Sequence, residues 1–190
     1  MTFILISGEK NTGKTYVCNK LHKIIETNTN FAVHNRQGSN YADKYDFLAH
    51  YEKDGRHIVL NSPSDNDGSM SEFGKYVDSL AADGVRPDIV IATIRQNNND
   101  NDNNGQPMSR MLALLDALSN GMPNLENYHK QNIESIMSFA PTSLCHNAFV
   151  LNLENQDVSG VADKNKALAQ YADGKAETAK QMLDLALARL

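Results

Sequence analysis

The sequence predicts an α/β fold, a three-layer sandwich on a mostly parallel central sheet that carries one antiparallel hairpin. Three observations predict it. Short apolar runs of strand length alternate with segments whose apolar residues recur at helical spacing. The first run, Phe3–Ile6, passes through a glycine-bearing loop straight into a helical pattern. Asp54-Gly55 lies between two further strand-like runs, and both residue types tolerate the positive φ of a tight hairpin turn. Residues 1–190 are expected to form a single domain, long enough to bury a core without disulfide or metal staples.

Each element has its own signal. Phe3–Ile6 is a continuous apolar run, as in a strand covered on both faces. Val17, Leu21, Ile24 and Ile25 then share one face of a helix. Phe31–His34 reads as a second strand, and Tyr45–Tyr51 with His57–Leu60 form the hairpin. Ser69-Met-Ser-Glu72 has the form of a capping box, opening a helix with Met70, Phe73, Val77, Leu80 and Ala81 inward. Asp88–Thr93 is an interior strand. The tract Gln96–Pro107 is rich in asparagine and holds no Val, Ile, Leu, Met or aromatic residue, so it is expected to be a mobile loop. Helices are expected around Met111–Leu118 and Leu125–Ala140, and a strand at Ala148–Leu153. The tail is helical, with Ala179, Met182, Leu183, Ala186, Leu187 and Leu190 at helical spacing and a break at Asp173-Gly174.

Composition narrows the function classes. Apolar residues make up 41% and charged residues 22% of the chain, as in ordinary globular proteins. A formal charge of −5 supplies no broad positive field, so nucleic acid is not an expected partner. No run approaches a membrane span, and the N-terminal apolar run is too short for a signal peptide. A cytoplasmic location is expected, with Cys18 and Cys145 as reduced thiols. The histidines form no HxxxH or Cys/His pattern, which argues against dedicated zinc binding. His50 and His57 are read as sheet residues facing one another across the hairpin. Ser62, Ser143 and Cys145 lack any motif that would make them nucleophiles.

The strongest chemical signal is Gly8-Glu-Lys-Asn-Thr-Gly13-Lys14-Thr15, which fits G-x-x-x-x-G-K-[ST] without a mismatch. Glycines let the chain curl until several backbone N–H groups point at one anion. The following helix adds its positive dipole end. A lysine at the sixth step past the first glycine would set a point charge among the phosphates, and the next hydroxyl would ligate Mg²⁺. On these residues the chain resembles the P-loop NTPase superfamily, the specific resemblance covering residues 3–25. That resemblance implies ATP or GTP as ligand and Mg²⁺ as cofactor. It implies nucleotide contacts from Gly8, Glu9, Lys10, Asn11, Thr12, Gly13, Lys14, Thr15 and Tyr16, with Lys14 catalytic and Thr15 on the metal.

The other half of such a site is less distinct. Phosphoryl transfer needs an acidic residue to hold Mg²⁺, usually where an apolar strand ends. His57-Ile-Val-Leu60 ends in Asn61-Ser-Pro-Ser-Asp65, so Asp65 is the expected metal partner of Thr15. Arg95 and Arg110 bracket the asparagine tract; Arg95 ends a strand and is expected to reach a phosphate, with the tract closing as a lid. Arg36 is a weaker candidate.

Four functions fit in decreasing order. An Mg²⁺-dependent NTPase heads them, with hydrolysis tied to conformation. A small-molecule or nucleotide kinase agrees in length, but its lid should be rich in arginine. A regulatory GTPase would match Asp65-Asn-Asp-Gly68 to D-x-x-G, yet no threonine occurs from Asn30 to Ala92 and N-K-x-D is absent. A non-catalytic nucleotide-binding or assembly module, with a protein partner, comes from a different class.

Overall fold

The structure is a computed structural model that describes residues 1–38, 46–63, 67–96, 107–122, 124–127, 147–157 and 159–190. Among them six strands, β1 (Thr2–Gly8), β2 (Ala32–Gly38), β3 (Phe47–Lys53), β4 (Arg56–Asn61), β5 (Ile89–Arg95) and β6 (Ala148–Leu153), form one mixed sheet. Its order is β2-β3-β4-β5-β1-β6. β4, β5, β1 and β6 run parallel, while β3 is antiparallel to both β2 and β4. Among the described residues four helices cover it: α1 (Lys14–Asn28), α2 (Asp67–Ala82), α3 (Pro107–Ser119) and α4 (Lys164–Leu187). A short 3-10 turn spans Leu125–Asn127.

Alternation within the strands builds two cores. In β1, Ile4 and Ile6 face one side, where Val17, Leu21 and Ile25 of α1 meet Ala176, Ala179 and Leu183 of α4. Phe3 and Leu5 face the other, against Met70, Phe73 and Val77 of α2 and Met111, Leu114 and Leu115 of α3. Burial on both faces explains why β1 and β5 read as unbroken apolar runs. The architecture is therefore three-layered, helix on sheet on helix.

The hairpin forms as expected. Asp54 and Gly55 have φ of 52° and 73°, and the pairing runs from Lys53↔Arg56 to Leu48↔Asn61. Three expectations need correction. α2 begins at Asp67, so Ser69 lies inside its first turn rather than at the cap, and Ala81 is exposed while Tyr76 takes a buried place. The tail does not break at Asp173-Gly174: α4 runs unbroken to Leu187, leaving Leu190 beyond it. A mid-helix glycine costs only about 1 kcal/mol. The buried stripe of Ala172, Ala176, Ala179, Leu183 and Ala186 outweighs that, and a Cβ on Gly174 would meet nothing. Most of the expected helix Leu125–Ala140 and residues 97–106 of the asparagine tract lie outside the described residues. Among the described residues no helix is long and apolar enough to cross a membrane.

Candidate functional site

The C-terminal ends of β1, β4, β5 and β6 lie along one edge of the sheet. Because β3 runs the other way, its first residues arrive at that same edge, Leu48 opposite Asn61. β1 leads into α1 on one face, whereas the chain after β5 returns as α3 on the other. Such a reversal opens a crevice at the strand ends, the general location of ligand sites in open α/β sheets.

The loop from Gly8 to Thr15 occupies this crevice. Asn11 and Gly13 have positive φ, 63° and 90°, and the alternation they impose turns the intervening backbone into a concave turn. Asparagine tolerates this region through local side-chain hydrogen bonding; at Gly13 the missing Cβ does the same. Gly8 is needed for space. A Cβ there would collide with Thr12 Oγ1 and come within 3.0 Å of the Leu153 carbonyl oxygen. Thr12 is itself held, its hydroxyl donating to Glu9 O at 3.0 Å.

α1 starts immediately after Gly13, its N-cap residue, which has no side chain to cap the first amides. Lys14 is 8% exposed and folds back over the loop, Nζ donating to Gly8 O at 2.9 Å and Glu9 O at 2.7 Å. The ammonium thus sits inside the curl of its own loop. Thr15 donates its hydroxyl to Asp46 Oδ1 at 2.7 Å. Ser62 Oγ donates to the same oxygen at 3.3 Å and accepts from Phe47 N at 2.8 Å. Ser62 is fixed in turn because Thr93 Oγ1 donates to its carbonyl at 2.5 Å. A cavity of about 340 Å³ lies over this arrangement, lined by Lys10 to Thr15 with Asp46 and Ser62.

Asp46 and Ser62 were not expected here. The residue before β3 comes to the crevice only because the hairpin turns the strand around, so Asp54-Gly55 was the available signal for Asp46. Ser62, set aside as a nucleophile, contributes an oxygen donor instead. Asp65 lies outside the described residues, and the side chain of Arg36 does too. Arg95 ends β5 in register with Gly8 and is 2% exposed; Arg110 is buried on α3. Tyr16 turns away from the cradle toward α4, its hydroxyl 3.3 Å from Asp173 Oδ1.

Two neighbouring groups have their protonation set by the fold. Burial pushes the Cys18 thiol well above its ordinary value, with Asp46 adding to the rise and Lys14 opposing it. A thiol so held is no nucleophile at neutral pH. Away from the crevice, His50 Nε2 lies 3.0 Å from His57 Nδ1 and His50 Nδ1 lies 3.1 Å from the Tyr76 hydroxyl. Burial first, then His57 and His34, lower the His50 pKa to about 4. Among the described residues no three His, Cys, Asp or Glu side chains group to hold a metal ion by themselves. Thr15, Ser62 and Asp46 do gather hydroxyl and carboxylate oxygens, the donor set preferred by Mg²⁺, which usually completes its shell with water and phosphate.

Comparison with family models, with curated proteins and with solved structures gave no match for this chain.

Proposed function

We propose that the protein binds a nucleoside triphosphate with Mg²⁺ in the Gly8–Thr15 loop and hydrolyses it, as a P-loop NTPase. The observation that carries this reading is the loop itself. Its backbone is bent into a concavity by Asn11 and Gly13, and the N-cap of α1 is Gly13, which brings no capping side chain. Lys14 Nζ is already placed within the curl. Amides, a helix N-terminus and a buried ammonium aimed at one small cavity suit a polyphosphate.

Each side chain then has a task. The amides between Glu9 and Thr15 bind phosphate oxygens, and Lys14 exchanges its two carbonyl contacts for phosphate. Thr15, Asp46 and Ser62 would hold Mg²⁺ or its waters. The ion supplies charge neutralisation on the phosphates. Asp46 is an acidic partner for Thr15 alongside the Asp65 that the sequence suggested, and Arg95 remains a candidate for neutralising charge at the β5 end of the crevice.

The test is calorimetric titration with ATP and GTP, with and without Mg²⁺, followed by release of inorganic phosphate. Lys14→Ala should weaken binding by roughly 10- to 150-fold, the worth of one charge-assisted contact of about 1.5–3 kcal/mol. Asp46→Ala should abolish the Mg²⁺-dependent part of binding and turnover. Unchanged ATP and GTP binding by Lys14→Ala would refute the reading. Binding without phosphate release would replace the NTPase with a non-catalytic module, and release that requires an added acceptor would replace it with a kinase.

A further inference from the structure

A second cavity, of about 500 Å³, adjoins the loop on the side away from Asp46. Asn11, Thr12, Gly13 and Tyr16 form its near wall. On the far wall stand Asn165, Leu168, Ala169 and Ala172 of α4. These four fall at i, i+3, i+4 and i+7, so they share one helix face. Farther along α4, the same stripe continues as Ala176, Ala179 and Leu183, which pack against α1 and the sheet. The packing stripe of α4 therefore runs past the start of α1 and overhangs the loop. There it meets a cavity, and Leu168 is left 42% exposed.

Both walls are braced. Lys20 Nζ pairs with Asp173 Oδ1 at 3.0 Å, and Tyr16 OH donates to the same oxygen, which locks α1 to α4. Asn155 Nδ2 donates to Glu9 Oε2 at 2.8 Å, tying the segment after β6 to the loop. Tyr171 OH accepts from Glu154 N at 2.8 Å. Glu154 and Gln156 line the same cavity as Tyr171 and add a carboxylate and an amide to the polar side chains of Asn11, Thr12 and Asn165. Size and lining both fall within the range of small-molecule sites, roughly 300–1,000 Å³ with a few polar groups among apolar walls.

We infer that this cavity takes the nucleoside part of the triphosphate, its flat base against the α4 face of Leu168, Ala169 and Ala172. The carboxylate of Glu154 and the amides of Gln156 and Asn165 meet its polar edges. The inference rests on the phosphate reading above, because Gly13 belongs to both cavities and joins them. A ligand spanning the two needs a polyphosphate at one end and an aromatic heterocycle at the other.

Inorganic tripolyphosphate separates the two readings, since it carries the phosphates without a nucleoside. Wild-type protein should bind ATP or GTP at least tenfold more tightly than tripolyphosphate, both with Mg²⁺. Leu168→Asn, at an exposed position, and Ala169→Phe, which fills the cavity, should each bring nucleotide affinity down toward that of tripolyphosphate. Tripolyphosphate binding itself should hold in both variants, and thermal unfolding of each checks that the fold survives. Equal affinity of wild type for tripolyphosphate and for both nucleotides would overturn the nucleoside site and leave the phosphate site standing. Undiminished nucleotide affinity in both variants would overturn it as well. Failure of tripolyphosphate and nucleotides alike to bind would remove both readings.

Discussion

Gly13 and Gly55 make a matched pair of substitutions that separates backbone strain from function. Both have positive φ, 90° and 73°, and a Cβ built on either meets nothing within 4 Å. Alanine at either position therefore adds no steric clash, and the whole cost is the left-handed backbone, about 1–2 kcal/mol. For a chain of this size each kcal/mol lowers Tm by roughly 2–4 °C, so both Gly13→Ala and Gly55→Ala should lose about 2–8 °C. Their ligand binding should differ. Gly55 lies in the hairpin turn at the far end of the sheet, whereas any backbone rotation that relieves the strain at position 13 swings the first amides of α1 off the concave site. One amide lost from a charged phosphate contact costs about 1.5–3 kcal/mol, which weakens binding about 10- to 150-fold. Scanning calorimetry and titration with tripolyphosphate, at matched protein concentration, read both effects. If the two variants lose the same Tm and bind tripolyphosphate equally well, the loop backbone does not hold the anion.

Two stability predictions follow from the packing. His50 has a folded pKa of about 4 against an ordinary 6.5, so the unfolded chain takes up this proton first. Stability tied to His50 is complete above about pH 6.5 and is lost as pH falls toward 4, by about 2–3 kcal/mol. His34, His57 and Glu52 face the same ring, with Tyr76 against it from α2. The difference in urea-unfolding free energy between wild type and His50→Gln should shift by about that amount from pH 7 to pH 4.5, and an unchanged difference would exonerate His50. At Gly74 a Cβ would come within 2.7 Å of the Leu125 carbonyl carbon and oxygen, where Asp78 Oδ1 and Oδ2 accept from the amides of Leu125 and Glu126. Gly74→Ala should therefore destabilise by about 1–3 kcal/mol despite alanine's better helix propensity, and a Tm at or above wild type would show that the 3-10 turn yields freely.

What could be read in advance was local. β1, the Gly8–Thr15 loop and α1 were legible because strand, turn and helix signals succeed one another within 25 residues of sequence. Ala148–Leu153 was read to the residue, since both ends of that run change from apolar to polar. Asp46 was not legible, because its place beside Thr15 depends on a pairing 31 residues away in sequence and on strand direction. The run through Gly174 was missed for a related reason. Local propensity marks a glycine as a break, but the alanines on either side are held by α1 and the sheet. The second cavity needed Asn11–Tyr16 and Asn165–Ala172 brought together, a juxtaposition that no spacing in the sequence encodes.

The antiparallel hairpin acts as a ruler laid alongside the site. β3 starts at the crevice and ends at the Asp54-Gly55 turn seven residues later, about 23 Å away at strand rise. That turn helps fix how β3 is aligned with β4, and hence where along the crevice Asp46 stops. A slip of one residue would carry its carboxylate to the opposite face of the sheet. An insertion or deletion in the turn would thus uncouple Thr15 from its acidic neighbour while leaving every residue of the crevice unaltered. Part of the site's geometry is written at the opposite end of the strand from the crevice.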